Sequence, residues 1–136
     1  MNRIATIALS GMNAAVRRLE VSASNVANSA STGALPNADG TVPAGSQQAY
    51  APLTVVQTAT AGGGPQTTVA TVRPPTVAVA DPQAPFANAD GLVAAPNVDL
   101  SAEMVGQMVA RYSFAANATM LKASDQVMKT LLDLKA

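Results

Sequence analysis

Asp99-Leu100-Ser101-Ala102-Glu103-Met104-Val105-Gly106-Gln107-Met108-Val109-Ala110-Arg111-Tyr112 opens a run to residue 134 that holds no proline and a single glycine. Along it Val105, Val109, Tyr112, Ala116, Met120, Ala123, Val127, Leu131 and Leu134 recur at steps of three and four, which is one face of an α-helix. Asp99 or Ser101 is placed to cap the N-terminus, Glu103 complements the helix dipole in the first turn, and Lys129 and Lys135 do so near the end. At 1.5 Å per residue a helix over 101–134 is about 50 Å long, more than a thin single domain can cover. Its apolar stripe calls for a partner.

The other end of the chain supplies one. Ile4, Ala8, Met12, Ala15, Leu19, Ser22 and Val26 follow the same three-and-four spacing, and small residues (Ala8, Ala15, Ala116, Ala123) allow two such stripes to approach as a coiled-coil pair. One pair still leaves much of each helix wet, so the helices are expected to complete their packing against other chains.

All nine prolines and six of the nine glycines fall between residues 34 and 98, which divides the chain into three: 1–33, 34–98 and 99–136. In the middle part Leu53–Ala59, Thr67–Arg73 and Thr76–Ala80 are rich in Val and Thr and read as strands. Gly62-Gly63-Gly64-Pro65 reads as the turn of a hairpin between the first two. Residues 34–48 and 81–98 read as loops. The fold class expected is mainly α with a small β region: long terminal amphipathic helices pairing as a coiled coil around a short hairpin-containing middle.

Composition removes most chemistries. Phe, Tyr and Trp make up 3% of the 136 residues, too few to stack a run of bases, and a net charge of zero gathers no polyanion, so nucleic acid is not an expected partner. Cys and His are both absent, which excludes thiolate nucleophiles, imidazole bases and the usual zinc, copper and haem ligands. The glycine triplet lacks the Lys-Ser or Lys-Thr of a phosphate loop, and Asp81, Asp90 and Asp99 do not have calcium-loop spacing. Lys122, Lys129 and Lys135 lie on the polar side of a helix, away from any strained serine. No catalytic residue, cofactor or metal site is expected. Residues 4–16 are free of charge but too short to span a bilayer. Arg17, Arg18 and Glu20 stand where a signal-peptide cleavage region is neutral, which favours an amphipathic helix over a processed signal.

Ser24-Asn25-Val26-Ala27-Asn28-Ser29-Ala30-Ser31-Thr32-Gly33, preceded by Ser10-Gly11-Met12 and Leu19, resembles the N-terminal signature of bacterial flagellar axial proteins, the rod, hook and hook-associated proteins. Asn97-Val98-Asp99-Leu100-Ser101-Ala102-Glu103-Met104-Val105, then Arg111-Tyr112 and Ala115-Ala116-Asn117-Ala118, is similar to their C-terminal helix. Asp81-Pro82, Ala89-Asp90-Gly91-Leu92-Val93 and Pro96 resemble the lead-in of a proximal rod member. Ala34 and Leu92 stand where the family often carries an aromatic residue.

The resemblance implies a structural rod subunit of the basal body that assembles helically into the hollow shaft transmitting torque and carrying exported subunits. Its partners would be copies of itself, other rod proteins, the inner-membrane ring or export gate, the distal rod and the type III export apparatus. It would lie in the periplasmic space, exported without signal cleavage. The expected assembly residues are Ile4, Met12, Leu19, Val26, Val105, Val109, Tyr112, Met120, Val127 and Leu131. Asn25, Asn28, Thr32, Gly33, Asn97 and Asp99 are the expected turn and motif residues, with Asn25 and Asn28 serving a helix end and turn because Asn tolerates left-handed backbone. The alternatives are a different rod or hook-junction subunit, and a secreted or periplasmic binding module with a signal processed near Ala23.

Overall fold

The computed structural model describes residues 3–37 and 39–134; Lys135, one of the two lysines expected to complement the helix dipole, lies outside them. Helix α1 spans Arg3–Ala27 and helix α2 spans Leu100–Asp133, 25 and 34 residues without an internal proline. Between them come β1 (Leu53–Ala59), β2 (Pro65–Thr71), β3 (Thr76–Ala80) and β4 (Leu92–Pro96). The chain is therefore mainly α with two small antiparallel sheets, β1–β2 and β3–β4.

β1 and β3 fall on the stretches read as strands, and β2 begins two residues earlier than read. β1 and β2 pair from Leu53 opposite Thr71 to Ala59 opposite Pro65, and the Thr60 amide donates to the Gly64 carbonyl to close the turn. The expectation of a loop across 81–98 needs correction. Leu92–Pro96 forms β4, with Thr76 opposite Pro96 and Ala80 opposite Leu92. Its Leu-Val-Ala-Ala-Pro run has little intrinsic strand preference and is held by non-local partners. On its far edge Ala94 exchanges two backbone hydrogen bonds with Gly33, at 2.9 and 2.8 Å. Val93 and Ala94 are buried there with Ala34, Ala49 and Pro52, a small core that ties the segment following α1 to the sheet preceding α2.

The helices lie antiparallel. Ser22, near the end of α1, meets Glu103 and Gln107 near the start of α2, and Gly11 meets Asn117 half-way along both. A Cβ on Gly11 would stand 2.5 Å from Asn117 Oδ1, so the Asn117 side chain lies against the bare backbone of position 11. Gly11→Leu should push the helices apart and lower stability by about 2 kcal/mol, read as a shifted urea midpoint. The β1–β2 hairpin lies along another side of α1. Arg18 donates to Gln57 Oε1, Asn25 bonds Leu53, and the hairpin tip rests on Ile7 and Ser10.

The faces that meet are not the two apolar stripes. On α1, Ala8, Ala15 and Ser22 are buried, but so are Ala14, Val21 and Asn25, because the hairpin covers that adjoining side. On α2 the buried residues are Ala110 and Ser124, flanked by half-buried Glu103, Gln107, Ser113, Asn117 and Leu121. Five of these seven, Ala110, Ser113, Asn117, Leu121 and Ser124, directly follow the stripe residues Val109, Tyr112, Ala116, Met120 and Ala123. At 100° per residue the two rows are therefore about 100° apart, so the stripe lies to the side of the α1 contact and stays uncovered. Ala116 and Ala123, expected at the pairing face, are exposed. Pairing of the two apolar stripes within one chain is thus corrected to pairing through small and polar residues.

Candidate assembly surface

Where α1, α2 and β1 converge, one buried amide joins them. Asn25 is 1% exposed, inside the last turns of α1. Its Oδ1 accepts from the Tyr50 hydroxyl at 3.0 Å and the Leu53 amide at 2.9 Å. Its Nδ2 donates to the Leu53 carbonyl at 2.8 Å and to Glu103 Oε1 at 2.6 Å. With the Tyr50 proton committed to Asn25, Ser24 Oγ is the donor to the Tyr50 oxygen, 3.0 Å away. Gln107 Nε2 then donates to Ser22 Oγ at 3.1 Å, and Ser22 Oγ donates to the Glu103 carbonyl at 3.3 Å. Among the described residues no buried side-chain polar atom lacks a partner, the condition under which a buried polar network is stable.

The motif residues surround this hub. Asn28 Nδ2 donates to the Ser24 carbonyl at 2.9 Å at the end of α1. The Thr32 carbonyl accepts from Gln47 Nε2 at 3.0 Å, and Gly33 makes the bridge to Ala94. Asn97 Nδ2 donates to the Pro74 carbonyl at 3.0 Å. Asp99 caps α2, its Oδ1 accepting from the Ser101 and Ala102 amides at 2.9 and 3.0 Å. Asn25 differs from the expected helix-end role: it is a tertiary hub within a helix, and among the described residues only glycines have positive φ. Tyr50 and Glu103 were not foreseen as its partners, nor Gln107 as a partner of Ser22. The available signal was slight, a lone aromatic at the end of a loop and two polar residues on one helical face.

The expected assembly residues divide differently. Met12 and Leu19 are half-buried, whereas Ile4, Val26, Val105, Val109, Tyr112, Met120, Val127 and Leu131 are exposed. Tyr112 reaches 77% exposure. Met104 and Met108 widen the stripe, and Met128 and Leu132, which continue the inward row past Ser124, are exposed as well, so α2 keeps an uncovered apolar face over most of its length. Gly11 opposite Asn117 and Ser22 opposite Glu103 set the pairing so that the last turns of α2 run past the start of α1, carrying Val127 and Leu131 beyond it.

Charge plays little part in this geometry. Arg17 and Glu20 form an exposed ion pair at 3.1 Å of small energetic weight. Asp39 has its carboxyl held below the usual carboxylate range by the hydroxyl and then the amide of Thr41, which closes an exposed turn remote from the helices. Among the described residues no helix is long and apolar enough to cross a membrane, and no cluster of three or more carboxylates could hold a metal.

Residues 89–134, which take in β4, the Asp99 cap and the whole stripe-bearing helix, match the family described as flagellar basal body rod FlgEFG protein C-terminal. Over 128 residues, 94% of this chain and 92% of the relative, the sequence is 35% identical to the flagellar basal-body rod protein FlgC of Escherichia coli O6:H1. This chain belongs to the FlgC family of flagellar rod proteins. The corresponding FlgC of Salmonella typhimurium is 34% identical over the same share of both chains. A shorter match, 41% over 46 residues, links the chain to the flagellar hook protein FlgE of Escherichia coli K12, covering 34% of this chain and 11% of that one. The match to the FlgC family includes the middle segment as well as the two helices, whereas the match to the hook protein is local.

Proposed function

We propose that this chain is a structural subunit of the bacterial flagellar basal-body rod, at its proximal end, with no catalytic role. The observation that carries the reading is the uncovered apolar face of α2, which lies within the segment matched to the rod family. An exposed apolar face of this length is unfavourable in a free monomer and becomes favourable when neighbouring subunits cover it. Repeated contacts that do not close into a ring generate an open helical tube. Coiled-coil packing belongs at that level, between the α2 stripe of one subunit and the helices of its neighbours, and torque passes through many such contacts. Neighbours would be copies of this chain, other rod proteins, the inner-membrane ring or export gate, and the distal rod.

Deleting the gene and restoring it in trans, with swimming scored beside electron microscopy of basal bodies, tests the reading. Rods that are missing or truncated just beyond the inner-membrane ring, and recover on complementation, are expected. Intact rods and normal swimming without a duplicate gene would refute it.

Val127→Asp isolates the assembly face. At 58% exposure the substitution should change the stability of the free chain by no more than about 0.5 kcal/mol. In the rod it would place an unpaired charge among apolar helices, so rods should fail to form. Normal rods from this variant would remove Val127 from the interface.

Export without removal of an N-terminal signal fits the packing, because cleavage near Ala23 would take away the buried Ala8, Ala14, Ala15, Val21 and Ser22. Mass spectrometry of the rod-incorporated protein should find residues 4–22 present. A terminus near Ser24 would contradict the proposal.

A further inference from the structure

The geometry points to a second role for the polar cluster between the helices: we infer that Glu103 and Gln107, gripping Asn25 and Ser22, hold α2 in the rotation that keeps its apolar stripe facing outward. The function of that outward face rests on the rod reading above; the rotation itself does not.

Burial alone would favour another arrangement. Val105, Val109, Tyr112 and Met120 offer far more apolar area than the row that meets α1, and burial is stabilising roughly in proportion to apolar area. Yet Tyr112 is 77% exposed while Ala110, two residues away, is 0% exposed. Shape contributes: Ala8, Gly11 and Ala15 of α1 let the backbone of α2 come close, which suits Ala110 and not Tyr112. The directional part comes from Glu103 and Gln107. Both sit one turn apart on the inward row and reach fixed partners, Asn25 at 2.6 Å and Ser22 at 3.1 Å. Asn25 is itself immobilised by Leu53 and Tyr50, so its free amide hydrogen points one way only. Rotating α2 by the roughly 100° that would bring the stripe onto α1 would carry Glu103 and Gln107 off the contact and leave that amide hydrogen and the Ser22 hydroxyl facing apolar side chains. A single polar contact in an otherwise apolar helix pair is known to select one arrangement among several at some cost in stability. Here the arrangement selected is the one that prevents the chain from burying its own contact surface.

The absence of cysteine makes a direct test simple, because one introduced thiol reports one position. Single-thiol chains Val109→Cys and Ser124→Cys mark the outward and inward rows. In the native background the 109 thiol should react with a maleimide at least about tenfold faster than the 124 thiol, as their exposures require. Glu103→Ala with Gln107→Ala should shrink that ratio several-fold while circular dichroism shows the helices retained. Glu103→Gln, which keeps a hydrogen-bond acceptor for Asn25, should restore it. An unchanged ratio in the double Ala variant overturns the inference, and so does loss of helix in that variant, which would make the cluster a source of stability and not of orientation. Labelling is read on the full free chain. A native ratio lock with failed rod complementation would refute the assembly reading alone, and intact assembly with an unchanged ratio would refute the lock alone.

Discussion

Gly33→Ala should unfold the junction between the two halves of the chain, lowering the urea midpoint by the equivalent of about 3 kcal/mol. A Cβ at this position would lie 2.5 Å from the Gln47 carbonyl oxygen and from the Gln48 carbonyl carbon. These are backbone atoms, so no rotamer change relieves the overlap. The 47–49 segment cannot simply move away, because the Ala34 amide bonds the Gln47 carbonyl at 2.8 Å and Ala49 is buried in the small core. Displacing Gly33 instead breaks its paired hydrogen bonds to Ala94 and leaves buried backbone groups unsatisfied, each worth about 1–3 kcal/mol. The left-handed backbone region is not involved, since the φ of Gly33 lies outside it. An unshifted midpoint would mean that the 34–52 loop gives way at little cost. The rod should then assemble normally from this variant.

Asn25→Ala should cost about as much, around 3 kcal/mol, for a different reason. The substitution removes both acceptor and donor from the Leu53 backbone, the acceptor of the Tyr50 hydroxyl and a donor to Glu103 in one step. It also opens a cavity at a position that is 1% exposed. Asn25→Asp separates the two effects. It keeps the volume and the acceptor oxygen but loses the donor to the Leu53 carbonyl, and sets a carboxylate against the Glu103 carboxylate. It should destabilise more than Asn25→Ala, because two like charges would face each other at a buried site. Parallel urea titrations of the two variants would show this. A loss for Asn25→Asp no larger than that for Asn25→Ala would remove the carboxylate of Glu103 from direct contact with position 25.

Both variants act at the meeting point of elements far apart in the chain, and that is where reading the sequence reached its limit. Periodicity is a local property, so the two helices, strands β1 and β3, the Asp99 cap and the apolar stripe from Val105 to Leu131 were visible in the order of residues. Composition was equally direct in removing thiol, imidazole and polyanion chemistry. β4 was not legible, because Leu92–Pro96 becomes a strand only by pairing with β3 on one side and Gly33 on the other. The role of Asn25 was hidden for the same reason: its partners lie 25, 28 and 78 residues away.

Which face of α2 turns inward could not be read from hydrophobicity, which favours the stripe. The sequence by itself determined that α2 carries a continuous apolar face. Only the tertiary structure decided that this face stays uncovered. Close approach at Gly11 and the directed hydrogen bonds to Asn25 and Ser22 outweigh non-directional burial, because a small, polar seam satisfies every buried donor and acceptor that the larger apolar one would strand.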